Sequence, residues 1–407
     1  MDPITHAASG AVAMLAMPHR PASRWAVPLA ALAAASPDMD VAFAHTPLQF
    51  LLLHRGITHS LAAAPLLGLV FALAGYTLWR PKTAQHWRFA KTWLFMTAMI
   101  LLHIWLDCIT TYGTMILQPF SDMRIRLNAV FIIDLLLTLP LLWAVWRWRA
   151  RRGLLLLAVA WMFVYPAISI GLNAWHTAQT RDNLAAQGRA PQNIVVLPDA
   201  FSPFFWRALY TEATPRGLMV CAQGLTALGQ PHGPETTAPA LPESLARDLA
   251  RQSVAARAFL QFTLLPVVAP LPADMLPGDM LPGDSTSAVQ PADAPSPSYI
   301  MVHDQRFGTS LALVRSIMAM RPSADIPFKY MAELAPAPAT AELDTPSADS
   351  SQESGKAAAP ALDAAPAHTQ RLLRERMRFS DSRRDSLWQA PRPPTQPGLL
   401  QWLVGLR

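Results

Sequence analysis

Four apolar runs constrain this chain more than any other feature. Residues 61–79, 92–112, 129–146 and 154–172 are nearly free of charge and approach or reach the length that crosses the hydrocarbon core of a bilayer. Backbone placed in lipid has to satisfy its own hydrogen bonds, so such runs form helices. The spacing predicts an all-α multi-pass membrane bundle over residues 1–175. Most of the 38 prolines fall after that point, where long apolar runs are scarce, so the remainder of the chain is expected in water.

Two earlier runs, 7–17 and 25–36, are Ala-rich but short, and are expected to be buried, re-entrant or paired as a tight helical hairpin. Pro37 is expected to end the second, leaving Asp38 and Asp40 in a loop. The linkers carrying Arg80, Lys82, Arg88 and Lys91, and Arg147, Arg149, Arg151 and Arg152, read as cytoplasmic by the positive-inside rule. Trp79, Trp93, Trp143, Trp146 and Trp148 flank them as an interfacial belt. Alternation then puts residues 54–60, residues 119–128 and everything after 173 outside, in the periplasm of a double-membrane bacterium.

From residue 176 to 334 the pattern is that of a small soluble α+β domain: short strands at Ile194–Leu197 and Leu218–Ala222, helix within Leu241–Phe262, and mixed signals over Tyr299–Val314. Pro, Ser and Ala dominate residues 272–298 and 335–370, which are expected to be disordered, and a basic tail from Arg371 completes a region 335–407 read as disordered throughout. The formal charge of +6 invites a nucleic-acid reading. The cations instead sit beside apolar helices or in that tail, with no recognition motif among them, so the bilayer is the expected partner and no specific nucleic acid is. Cys108 and Cys221 give no thiolate metal spacing, and no secretory signal opens the chain.

Ionisable groups inside such helices are expensive and mark function by default. His103 and Asp107, four residues apart, share one helical face. His54-Arg55-Gly56-Ile57-Thr58-His59-Ser60 places two imidazoles and a guanidinium at the mouth of an apolar run. With His6, Asp38 and Asp40 these residues form an oxygen/nitrogen donor set without sulfur, larger than a single tetrahedral zinc requires. Two neighbouring ions would use it well. A self-satisfied His–Asp pair is the plainer explanation of His103 and Asp107, and Asp134 as a helix-start acid could serve only the macrodipole.

The series Met1-Asp2-Pro3-Ile4-Thr5-His6, Pro37-Asp38-Met39-Asp40, His54 to Ser60, His103-x-x-x-Asp107 with Thr110 to Thr114, and Pro119-Phe120-Ser121 resembles the bacterial inner-membrane family called membrane-bound metal-dependent hydrolases. The likeness covers roughly residues 1–210, because Pro203 to Trp206 resembles that family's post-membrane Pro-x-x-Trp element. The motif order also resembles the zinc-dependent phospholipase C and nuclease group. The resemblance implies His6, Asp38, His59, His103 and Asp107 as metal ligands, with Asp40 and His54 as ligands or their supports. That group's later His-x-x-x-Glu pair is missing here, so one or two divalent ions, zinc first, are expected rather than three. The implied activity is hydrolysis of an ester, a lipid-linked phosphoester favoured, by a metal-activated water. Asp40 or Asp134 would be the base, and Arg55 would hold a phosphate. A non-catalytic metal-stabilised scaffold that recruits a protein partner and a metal or proton carrier are the competing readings.

Overall fold

The computed structural model describes residues 1–78, 87–271, 275–276, 298–319, 328–335, 370–379 and 387–394. Seven α-helices come first: α1 (Pro3–Ala16), α2 (Ala26–Ala35), α3 (Pro47–Leu53), α4 (Ala64–Leu78), α5 (Phe89–Cys108), α6 (Leu135–Arg147) and α7 (Arg152–Ala186). Their starts follow local chemistry. Asp2 caps α1 by accepting from the Ile4 and Thr5 amides with Pro3 in the first turn, and Thr46 with Gln49 forms a capping box on α3.

The helices turn Leu66, Val70, Leu94, Leu139, Trp146, Leu157 and Ile168 outward, a surface that only lipid tails would cover at so many places. Inside, α1, α2, α5, α6 and α7 share a core built from Val12, Met14, Met96, Leu137, Leu141 and Met162. Gly10 permits a close approach, since a Cβ there would lie 2.3 Å from the Ala30 carbonyl oxygen on α2.

Candidate spans among the described residues are Ala26–Phe43, Phe89–Cys108 and Arg152–Ala186, with α3 through His59 and α4 forming a fourth that bends by 70°. Two runs depart from the sequence expectation. The run at 25–36 does not stop at Pro37, because the helix tightens into a 3₁₀ segment, Ser36–Phe43, with the proline in its first turn where no amide is needed. Asp38 and Asp40 therefore ride on a helical continuation and not in a loop. The run at 129–146 yields only α6, 13 residues and about 20 Å long, because Asp134 starts the helix late. Trp79, Arg80 and Lys82 lie outside the described residues.

Beyond α7 the chain forms two four-stranded antiparallel sheets in sequential order. One holds β1 (Gln192–Pro198), β2 (Phe205–Thr214), β3 (Gly217–Thr226) and β4 (Pro231–Pro239); the other holds β5 (Pro266–Pro270), β6 (Ser298–Asp304), β7 (Phe328–Leu334) and β8 (Leu372–Phe379). Helices α8 (Glu243–Gln252), α9 (Val254–Phe262) and α10 (Ala312–Ala319) complete the region. The expected strands at Ile194–Leu197 and Leu218–Ala222 fall within β1 and β3, and the expected helix within Leu241–Phe262 is the pair α8 and α9.

The tail expected to be disordered contributes β8, paired antiparallel with β7 through Tyr330 opposite Met377 and Met331 opposite Arg376. Arg374, Arg376 and Arg378 alternate with Glu375 and Met377, which are buried, so a basic stretch is also a strand of period two. Most of the Pro-rich segment 272–298 and of 335–370 lies outside the described residues. Phe50 and Leu51 of α3 and Tyr112 share a core with Phe259, Phe262, Phe328 and Tyr330, so the sheets dock on one end of the bundle.

Candidate metal centre

The 70° bend between α3 and α4 is where His54 to Ser60 sits, and it is built by Arg55 at φ +59 followed by a short 3₁₀ turn, Ile57–His59. Irregular backbone at membrane depth survives only where protein covers it. Here the turn faces inward, toward Asp38 from the 3₁₀ end of the first span and His103 and Asp107 near the C-terminal end of α5.

One donor atom from each of Asp38, His59, His103 and Asp107 lies within 4.8 Å of the other three. The His59 and His103 Nε2 atoms are 3.0 Å apart. Asp38 Oδ1 is 3.4 Å from His59 Nε2 and 3.6 Å from His103 Nε2. Asp107 Oδ2 is 3.2 and 3.5 Å from the same two nitrogens. A divalent ion held at about 2.0–2.1 Å by four tetrahedral ligands separates them by about 3.3–3.4 Å, the middle of this range.

Hydrogen bonding fixes which ring nitrogens have lone pairs. His103 Nδ1 donates to the Ala34 carbonyl oxygen at 2.6 Å, so its Nε2 is the acceptor. The Thr58 hydroxyl donates to Asp40 Oδ2 at 3.0 Å, so its oxygen accepts from His59 Nδ1 at 2.9 Å, and the His59 Nε2 is likewise a lone pair. Asp38 Oδ1 and Asp107 Oδ2 are buried and receive no hydrogen bond. Four potential ligand atoms thus converge in a buried space, an arrangement that a divalent cation stabilises.

The other expected site residues surround these four. Asp40 accepts from His54 Nδ1 at 2.9 Å, the Arg55 amide at 3.0 Å and Thr58, which makes it the support behind His59. His6 stacks on His103 with ring centroids 3.7 Å apart and meets Asp107 Oδ1 at 3.2 Å, one carboxylate oxygen away from the convergent set. Arg55 is buried, with Nη2 on Asp107 Oδ1 at 3.0 Å and Nη1 on the Thr110 hydroxyl at 2.9 Å. The Met1 amino group also contacts Asp107 Oδ1.

Asp134 is not brought to the cluster. Its carboxylate caps α6 and accepts from the Tyr165 hydroxyl at 2.8 Å and the Ser202 hydroxyl at 2.7 Å. It ties α6 and α7 to the start of the sheet region, so its expected part as a base has no geometric support.

Sequence reasoning missed three residues here. Thr58 and Thr110 lay inside the motifs but were given no part. Arg306, almost two hundred positions further on, donates to the carbonyl oxygens of Thr111 at 3.0 Å, Tyr112 at 3.2 Å and Phe262 at 2.9 Å, and no sequence signal announced it. Tyr112 lies against Arg55, 4.7 Å from guanidinium carbon to ring centre, and burial raises its hydroxyl to about 12. Burial, with Arg306 and Arg55 close by, lowers Arg124 beside it to about 10.

A helical bundle with lipid-facing sides and a buried Asp/His cluster at one end defines a membrane protein that could hold a metal ion inside its helices. Residues 1–177 match the family described as YdjM inner membrane protein. It is also 29% identical over 132 residues to the uncharacterized protein YfhP of Bacillus subtilis (strain 168), covering 32% of this chain and 39% of that relative's length. No solved structure matches.

Proposed function

We propose that this protein is a membrane-bound metal-dependent hydrolase whose centre is Asp38, His59, His103 and Asp107. The observation that carries the reading is the pair of Nε2 lone pairs 3.0 Å apart, with both Nδ1 atoms already committed as donors. When bound, a divalent ion, zinc first, would polarise an ester oxygen and ionise water near neutral pH. Asp40 orients His59 through Thr58 and holds His54 by Nδ1, leaving the other nitrogen of that ring for proton transfer, so His54 takes the part first expected of Asp40. Arg55 fixes one oxygen of Asp107 and turns the other inward. A phosphoester, lipid-linked or small, is the favoured substrate because the site sits near one end of the bundle, at headgroup depth.

The division at about residue 175 and the periplasmic side of the sheets belong to the same proposal. The periplasmic side is supported by Arg147 to Arg152 turning between α6 and α7, at the opposite end of α7 from β1; α7 itself runs through residue 175 to Ala186.

One observation favours the scaffold reading instead. His6, His59, His103 and Asp107 are fully buried and only Asp38 keeps some exposure, as in a site that holds helices together. The two readings separate on metal-loaded full-length protein assayed with a phosphodiester and phospholipid panel beside His54→Gln. Turnover that His54→Gln removes while metal content persists supports the hydrolase; no turnover with metal bound in both supports the scaffold.

A further inference from the structure

The sheet region holds a second polar centre, unrelated to the metal cluster. Arg207 on β2 stands opposite Gly224 on β3, and the missing side chain there lets Ser310 pack over the strand pair, its Cβ 2.6 Å from where a Gly224 Cβ would lie. The Arg207 side chain turns into a cavity of about 70 Å³ whose polar lining includes Thr309, Ser310 and the exposed Arg315 of α10. That space admits about five water-sized groups, which is the size of one tetrahedral oxyanion.

Arg207 is only 5% exposed, yet among the described residues no carboxylate forms an ion pair with it. Its Nη2 donates to the Gln305 carbonyl oxygen, and its Nε is buried without a partner. The two nearby acids are engaged elsewhere. Asp304 is bound to Arg306 at 2.8 Å, and Asp199 accepts from the Thr309 hydroxyl and from the Ser310 amide and hydroxyl at 2.6–2.7 Å. A guanidinium taken out of water needs a counter-charge or leaves the fold strained by desolvation. The second cation, Arg315, and the N-terminal end of α10, two residues after Ser310, add positive potential on the same side.

We propose that this cavity is a binding site for a phosphate-sized oxyanion, free or as the headgroup of an anionic phospholipid, with Arg207 as its buried counter-charge and Arg315 at its mouth. Gly308 belongs to the design: a Cβ there would fall 2.7 Å from Arg207 Nη1, so a side chain at 308 displaces the guanidinium. The site is independent of the metal reading and stands or falls without it.

The test uses full-length protein. Its melting temperature is followed in detergent against inorganic phosphate, with chloride at equal ionic strength as the control, and in nanodiscs of phosphatidylglycerol or phosphatidylcholine without phosphate. A phosphate-dependent rise in detergent, or a rise specific to phosphatidylglycerol, supports the site and names the source. Arg207→Met should fold, since it removes an unpaired buried charge, and should weaken the response at least tenfold. Arg315→Ala, on an exposed face, should weaken it about threefold or more and decides the matter if Arg207→Met does not fold. No response from the unaltered protein to either anion, or responses in both variants within twofold of it, would overturn the proposal.

Discussion

Arg55 grips Asp107 by one carboxylate oxygen, Nη2 to Oδ1 at 3.0 Å, and leaves the other, Oδ2, 3.2 Å from His59 Nε2. A buried guanidinium thereby aims a carboxylate that cannot rotate away. Replacing Arg55 with Met removes the grip and leaves the ligand half-free. Metal affinity should fall about 10–100-fold, as for other residues that orient a ligand from behind, and competition with a chromogenic chelator measures it. Arg55→Lys should fall between, because a single ammonium cannot reach Asp107 and Thr110 in the same fork.

Asp40 tests the same logic from the imidazole side. Asp40→Asn keeps one acceptor oxygen where the aspartate offers two, and loses the charge that orders His54, Thr58 and His59. The bundle should remain folded by circular dichroism while metal affinity drops about tenfold. Unchanged affinity would show that Asp40 serves only the turn.

How far could this have been read in the residues alone? The helical class, the aspartate and histidine motifs between Pro37 and Ser60, and the His103/Asp107 face were legible because polar groups beside apolar helices stand out and the spacing within a helix is fixed by its geometry. Asp38 and Asp40 were found as residues but placed in a loop, since a proline in the first turn of a 3₁₀ segment looks the same as a helix break. Asp134 was misread because a capping carboxylate and a catalytic one have the same local sequence; only Tyr165 and Ser202, from two other segments, distinguish them. β8 was hidden by its own charge, three arginines and a glutamate among four apolar residues masking the alternation.

Arg306 links the sheets to the loop that carries Thr110 and Tyr112. Arg306→Met would strand Asp304 without its cation and release that loop. A loss of about 3–5 kcal/mol, the range for breaking a buried pair from one side, is expected in chemical denaturation of the extramembrane region. Metal affinity should change less than in Arg55→Met, because Arg306 bonds the Thr111 and Tyr112 carbonyls of the neighbouring loop and no residue of the cluster itself.

Arg189, just after α7, clamps Glu212 on β2 and Glu235 on β4. The pairing lowers both carboxyls below the ordinary glutamate range, so the folded state holds fewer protons than the unfolded one as pH falls. This stability is complete above the unfolded carboxyl range and is lost as acidification passes through the folded values. The side chains are partly exposed, which keeps the effect near 1 kcal/mol. Arg189→Gln should lower the melting temperature at pH 7 by about 2–4 °C and flatten its fall in acid, whereas equal acid curves would deny the clamp a part in stability.

The most direct measurement is metal content of the purified full-length protein, by mass spectrometry of the elements, beside His59→Ala and Asp107→Ala at matched folding. The account predicts bound divalent metal in the unaltered protein and its loss from both variants. Metal retained in full by both folded variants, or a protein that binds no divalent ion at any concentration its fold tolerates, would contradict it.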